Sequence, residues 1–146
     1  MAGKLIAIAR KEKPHAQMEE LARVHVSGER GVEGDARGAT PGRQVTVVFR
    51  EDWEAACRDH GKSLPWTTRR ANLYVEGLTD FKRVGARIKI GPVVLEVGEE
   101  TQPCHRMEAQ SPGLRAALQP DWRGGVSCQV LTPGNIAPGD PVEVVG

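Results

Sequence analysis

The sequence predicts a mainly β domain, a closed or partly closed barrel of short antiparallel strands with two or three short helices. Three observations predict it. Glycine (17) and proline (10) are frequent in a chain of 146 residues, which favours many turns over long helices. Eight or nine short apolar or alternating runs lie between those turns. The helical stretches are few and do not alternate with strands as a doubly wound sheet requires. A chain of this length is one domain, residues 1–146, large enough to bury a core without disulfides.

The elements follow in order. Lys4 to Arg10 is a mainly apolar run and reads as a buried strand, and Lys11 to Pro14 is a charged turn. From Leu21 to Val26, apolar residues alternate with Arg23 and His25, which predicts a second strand. Ser27 to Gly42 holds five glycines and is too polar for core; it is read as a loop, structural or ligand-binding. Within it, Gly31-x-x-Gly34-Asp35 is similar to phosphate-binding loops, but no Gly-Lys-Ser/Thr follows, so it is not a P-loop.

Arg43 to Phe49 is a strand. Arg50 to His60 is a helix with Trp53, Ala56, Cys57 and His60 on one face, acidic residues in its first turn and Gly61 at its end. This places Cys57 in the core and His60 at the helix end. Lys62 to Thr68 is a loop, with Trp66 over the core edge. Arg69-Arg70-Ala71-Asn72 leads into a short apolar pair, Leu73 and Tyr74, and a turn at Gly77. Ala86 to Ile90 and Val93 to Val97, separated by Gly91-Pro92, form a hairpin. A short helix follows Cys104. Ser111-Pro112 opens another, with Leu114, Ala117 and Leu118 on its apolar face and Pro120 as its stop. Val126 to Leu131 is a strand with Cys128 facing inward. Turns at Pro133-Gly134-Asn135 and Pro138-Gly139-Asp140 precede a last strand, Val142 to Val145.

Twenty Lys and Arg balance 19 Asp and Glu, so the bulk charge argues for neither nucleic acid nor an anionic membrane as partner. No aromatic–basic interleaving of an RNA-binding kind occurs. No run reaches the roughly 20 apolar residues of a membrane span, and no secretory leader opens the chain. With three cysteines, an odd number, the chain reads as cytoplasmic with reduced thiols. No feature sets an oligomeric state.

Chemistry concentrates at Pro103-Cys104-His105-Arg106. A structural cysteine sits among apolar neighbours; Cys104 does not, which makes it the candidate nucleophile, sulfur carrier or metal ligand. His105 is adjacent, either as a catalytic partner or as a loop-stabilising residue. No second Cys/His pair completes a zinc set and no EF-hand loop occurs, so neither a zinc nor a calcium site is expected. Arg43, Arg69, Arg70, Arg106 and Arg123 all fall in loops or at strand ends. If the barrel gathers them, Cys104 lies in an electropositive pocket where positive charge favours the thiolate and arginine forks bind phosphate or carboxylate.

Several pieces, in order, carry a family resemblance: Gly31-x-x-Gly34-Asp35, Arg43-Gln44-Val45, Arg70-x-Asn72-Leu73 with Gly77, Gly85, Ile90-Gly91, Pro103-Cys104, Gly124-Gly125 and Gly139-Asp140. Over about residues 5 to 145 the chain resembles the MOSC domain, found at the C-terminus of molybdenum cofactor sulfurases and as small stand-alone bacterial proteins. The resemblance implies a MOSC-like β-barrel. It implies molybdenum cofactor (molybdopterin) binding or sulfur carriage, with Cys104 as persulfide carrier or molybdenum ligand. It makes Arg70 and Asn72 pocket residues, with Arg69 or Arg70 as the pocket arginine and Arg43 a further candidate, and has Asp35 shape the glycine-rich loop. No pyridoxal-phosphate sulfurase or ferredoxin segment accompanies these motifs. A separate sulfur donor, a cysteine desulfurase, or a separate electron donor is therefore implied. Sulfur carriage and metal ligation both stay open here, as does turnover. The alternative is a non-catalytic binding or regulatory module for a phosphate-bearing small molecule or a partner enzyme.

Overall fold

Residues 3–146 are described by a computed structural model, in which the apolar runs become the staves of a barrel. Strand β1 (Gly3–Arg10) has no simple alternation because both its faces are covered. Leu5 and Ile8 enter the barrel interior, with a register shift between Leu5 and Ala7, while Ala9 joins a second apolar cluster outside. The same holds for β5 (Val45–Phe49): Val45, Val47 and Phe49 fill the interior and Val48 faces the helices.

Helix α1 (Arg50–His60) spans the expected residues and ends at Gly61, whose φ of 81° is the left-handed cap that glycine adopts without strain. Trp53 and Ala56 are buried on its inner face, whereas Cys57 is only half-buried at the edge of the outer cluster. From α1 the chain passes through a 3-10 turn (Trp66–Arg69) into β6 (Leu73–Glu76), which pairs with β5 in parallel, Val47 opposite Leu73. This crossover departs from the all-antiparallel expectation. It follows from the helix, which carries the chain back to the starting end of the sheet.

The predicted hairpin forms as β7 (Arg87–Ile90) and β8 (Val93–Glu100). β8 runs three residues past Val97, because Glu99 and Glu100 pair with Ser127 and Val126 of β9 (Val126–Thr132). With β11 (Pro141–Val144) the ring β11-β7-β8-β9-β5-β6-β1 closes through antiparallel β11–β1 pairing, a seven-stranded barrel. Its interior is one continuous aliphatic core in which Phe49 stacks on Phe81.

Outside the ring the expectations need correction. The strand read over Leu21 to Val26 is two: β2 (Glu19–Leu21) pairs with β1, and β3 (Val24–Ser27) belongs to a separate three-stranded sheet. That sheet pairs β3 with β4 (Gly31–Val32), inside the supposed polar loop, and with β10 (Gly134–Ile136), which had read as a turn. Val26, Val32 and Ile136 are fully buried. β4 and β10 are too short for periodicity to register; β4 pairs with β3 from a few residues away and β10 from more than 100. The described strands thus number eleven rather than eight or nine.

Among the described residues three α-helices form. α2 (His105–Gln110) and α3 (Leu114–Leu118) pack with α1 and the 3-10 turn over the outer face. Ser111 does not cap α3. Its hydroxyl pairs with His60 Nε2 at 2.7 Å, tying the end of α1 to the α2–α3 junction. A second 3-10 turn (Pro120–Trp122) leads into β9. Among the described residues no helix is long and apolar enough to cross a membrane.

Candidate functional site

The cleft is built by loops that leave one end of the barrel. β8 delivers the cysteine. Beyond Glu100, Thr101 N–H donates to the Gly125 carbonyl at 2.8 Å, Pro103 is buried, and Cys104 stands immediately before α2 with its carbonyl accepting from Met107 N–H. Met107, 1% exposed, anchors α2 in the outer core, so packing fixes the backbone beneath Cys104 while its side chain stays exposed.

The 3-10 turn supplies the two arginines. Arg69 is buried: its Nε donates to the Gly124 carbonyl and its Nη2 to the Thr101 carbonyl, both at 3.0 Å. Burial pushes its guanidinium down to about 10, and the nearby Cys104 opposes that fall, so Arg69 is a cation at neutral pH. Close approach explains Gly124: a Cβ there would lie 2.2 Å from the Thr101 carbonyl oxygen and 3.2 Å from Arg69 Nη2. Arg70 adopts φ 65°, a left-handed conformation uncommon outside glycine, and points its half-buried side chain the other way. It donates to the Ala16 carbonyl at 2.6 Å. Both arginines face the cleft, so the choice left open by the sequence has two answers with different surroundings.

The floor is Asn72, 3% exposed. Its Oδ1 accepts from Thr46 N–H (3.1 Å) and the Thr46 hydroxyl (3.2 Å), and its Nδ2 donates to the Ala9 carbonyl (3.2 Å). The amide therefore stitches β5, β1 and the entry to β6 together. Asn72 lines the cleft, but its polar atoms serve the barrel. The glycine-rich loop closes another side. Asp35 accepts from Lys11 N–H at 3.0 Å and Arg37 N–H at 3.1 Å, which shapes that loop and ties it to the end of β1.

Together these elements enclose a cleft of about 620 Å³. Of the residues singled out from the sequence, Asp35, Arg43, Arg69, Arg70, Asn72, Cys104, His105 and Arg106 line it. Their surroundings differ. Arg43 forms an ion pair with Glu99, so its charge is already answered. His105 is exposed and has no hydrogen-bond partner among the described residues. Arg123 is not part of the cleft; it pairs with Asp59 and the Ala117 carbonyl, packing the 120s loop against the helices. Cys128 is fully buried inside the barrel, where loss of solvation raises its thiol pKa and leaves it inert.

Sequence reasoning missed Lys11 and Arg37. Lys11 had read as part of a charged turn, but it is 8% exposed at the cleft wall. Burial lowers its pKa; Asp35 opposes that, and the positive charges of Arg70, Arg37 and Arg106 add to it. The one available signal was its place directly after a buried strand. In all, Lys11, Arg37, Arg43, Arg69, Arg70 and Arg106 face the cleft against one lining carboxylate among the described residues, Asp35. Thr101 and Ser127 add a hydroxyl pair at 2.8 Å beside Arg69. This donor set fits a phosphate-bearing ligand with a soft, sulfur-seeking centre: cations and hydroxyls for the anion, an exposed thiol for the soft atom. Among the described residues no group of three or more His, Cys, Asp or Glu side chains is arranged to hold a metal ion, so protein donors alone make no cage.

A search of curated proteins finds no match. Solved structures with the same fold include the YuaD protein from Bacillus subtilis, at 16% identity over 97% of this chain and 94% of that one, with a TM-score of 0.82. YiiM from Geobacillus stearothermophilus is 18% identical over 99% of this chain and 75% of its own, with a TM-score of 0.78. YiiM from Escherichia coli is 19% identical over 98% and 70%, with a TM-score of 0.73. The family profile of the MOSC domain matches residues 33–143, a span that holds the later part of the glycine-rich loop, Arg69 and Arg70 and Cys104, and the chain belongs to the MOSC domain family.

Proposed function

We propose that this chain holds a molybdenum–pterin cofactor, or sulfur destined for one, with Cys104 as the sulfur atom and the cleft cations as the clamp for the cofactor's phosphate. One observation carries the reading: six cations and one carboxylate converge on a cleft with an exposed thiol at its rim. Membership of a family linked to molybdenum cofactor binding supports the same ligand.

Each residue then has a task. Lys11, Arg37, Arg70 and Arg106 bind the anionic end through charge-assisted hydrogen bonds. Arg69 holds the Cys104 loop against Gly124 and keeps positive charge beside the sulfur. Asn72 keeps the floor rigid. The bound metal would supply redox or group-transfer chemistry. The exposed His105 imidazole makes no hydrogen bond among the described residues that would orient it as a base, which favours a ligand or carrier role for Cys104 over base-assisted nucleophilic turnover. In the carrier mode the Cys104 thiolate attacks the outer sulfur of a donor persulfide. An S–S bond forms on Cys104, the donor's S–S bond breaks, and the electron pair leaves on the donor thiolate. The donor is a cysteine desulfurase; in the ligand mode a separate electron donor takes its place.

The test is native mass spectrometry of the protein purified from its own host. A bound pterin supports ligation, and an adduct of about 32 Da, one sulfur, on Cys104 supports carriage. Cys104→Ser should lose the adduct or the metal while keeping the fold. A phosphate ester without pterin or metal, retained unchanged in Cys104→Ser, would overturn the reading and make the chain a phosphate-ligand binding or regulatory module.

A further inference from the structure

We infer that the β1–β2 connection is a strap along the cleft rim, whose His15 and Ala16 hold Arg106 and Arg70 in the orientation that grips an anion. The inference rests on the anion-binding reading of the cleft.

The strap is anchored at both ends. Lys11 is tied to the glycine-rich loop through Asp35 and Ala36, and β2 begins at Glu19. Between them the chain makes a turn closed by Ala16 N–H to the Lys13 carbonyl at 3.1 Å. His15 within it takes φ 69°, a conformation a non-glycine residue adopts at a cost. That bend presents two acceptors to the cleft arginines: the Ala16 carbonyl to Arg70 Nη2 at 2.6 Å and His15 Nε2 to Arg106 Nη2 at 3.3 Å.

The chemistry of these acceptors matters. Arg43 is held by Glu99, a carboxylate that cancels its charge. Arg70 and Arg106 are held by a carbonyl and an imidazole, which accept a hydrogen bond without adding negative charge. Neither partner brings a negative charge, and each guanidinium is fixed along one edge with its remaining N–H donors available to a ligand. Asp35 makes no hydrogen bond to either arginine among the described residues; its oxygens accept from the Lys11 and Arg37 amides. His15 and Ala16 do not themselves line the cleft, so they reach a ligand only through the arginines. Holding side chains that would otherwise have to be ordered on binding raises affinity without adding a contact.

The experiment is calorimetric titration of the whole chain with inorganic pyrophosphate at pH 8. His15→Leu should weaken binding about five-fold, the worth of one ordinary hydrogen bond, while His15→Gln, which keeps an acceptor, stays within about two-fold of the wild type. Ala16→Pro, which breaks the turn and moves the carbonyl away from Arg70, should weaken binding about ten-fold. Thermal melts separate these losses from unfolding. Wild-type affinity in both His15→Leu and Ala16→Pro would overturn the strap and leave the anion site standing. No pyrophosphate binding by the wild type would remove the anion site and the strap with it.

Discussion

Asn72→Ala separates a residue that holds the barrel from one that holds a ligand. The Asn72 amide makes three side-chain hydrogen bonds in a setting 3% exposed, to Thr46 N–H, the Thr46 hydroxyl and the Ala9 carbonyl. The hydroxyl has another partner, since it also accepts from Asn72 N–H. The Thr46 amide and the Ala9 carbonyl lose the bonds made to this side chain. Each buried backbone group left unpaired costs about 1–3 kcal/mol, and a water entering from the cleft recovers part of that, so we expect a net loss of about 3 kcal/mol. At roughly 2–4 °C per kcal/mol for a domain of this size, the melting midpoint should fall by about 6–12 °C. Circular dichroism melts measure this directly. Pyrophosphate titration well below the midpoint then reads the cleft, and affinity should stay within about two-fold of the wild type. A midpoint within about 2 °C of the wild type, combined with a ten-fold loss of affinity, would refute the reasoning and return Asn72 to the ligand.

Two further outcomes follow from the same geometry. Gly124→Ala drives a Cβ to 2.2 Å from the Thr101 carbonyl, the group that also receives Arg69, and should cost about 1–3 kcal/mol in urea unfolding while displacing the Cys104 loop. Lys11 gives the cleft a pH dependence. Burial first, and then the positive charges of Arg70, Arg37 and Arg106, hold its folded pKa below 10.5, so it loses its charge at a lower pH in the folded chain than in the unfolded one. A cationic Lys11 attracts an anion and a neutral one does not. Affinity for sulfate, measured by titration from pH 7 upward, should therefore fall as pH rises through that lowered pKa, short of 10.5, and Lys11→Gln should flatten the fall. By the same sign, the cost of keeping Lys11 charged in the fold is present below its folded pKa and relieved as pH rises towards 10.5.

How much of this was legible in the sequence depends on whether the cause is local. The ring strands could be read because the barrel interior imposes apolar residues on each stave separately, as at Val45 to Phe49 or in the Ala86–Ile90 and Val93–Val97 hairpin. Helix α1 could be read for the same reason, its face being set within its own eleven residues and its cap by the glycine that follows. β4 and β10 could not. Two or three residues carry no period, and they are strands only because β3 lies between them. The parallel β5–β6 pair was hidden likewise, since the strand direction is set by the path of the chain through α1.

The site divides along the same line. The sequence by itself determined that Cys104 stands apart, because a thiol between proline and histidine in a polar stretch has no packing reason to be there, and it determined that arginines cluster near element ends. Only the tertiary structure decided which of them meet. Barrel closure brings Lys11, Arg37, Arg70 and Arg106 from four separate connections to one cleft, leaves Arg123 against Asp59, and answers Arg43 with Glu99. It also decided that Asn72 spends its amide on Thr46 and Ala9. The physical reason is that charge and hydrogen bonding act through space. Residues far apart in sequence set them, and no window of neighbouring residues contains that information.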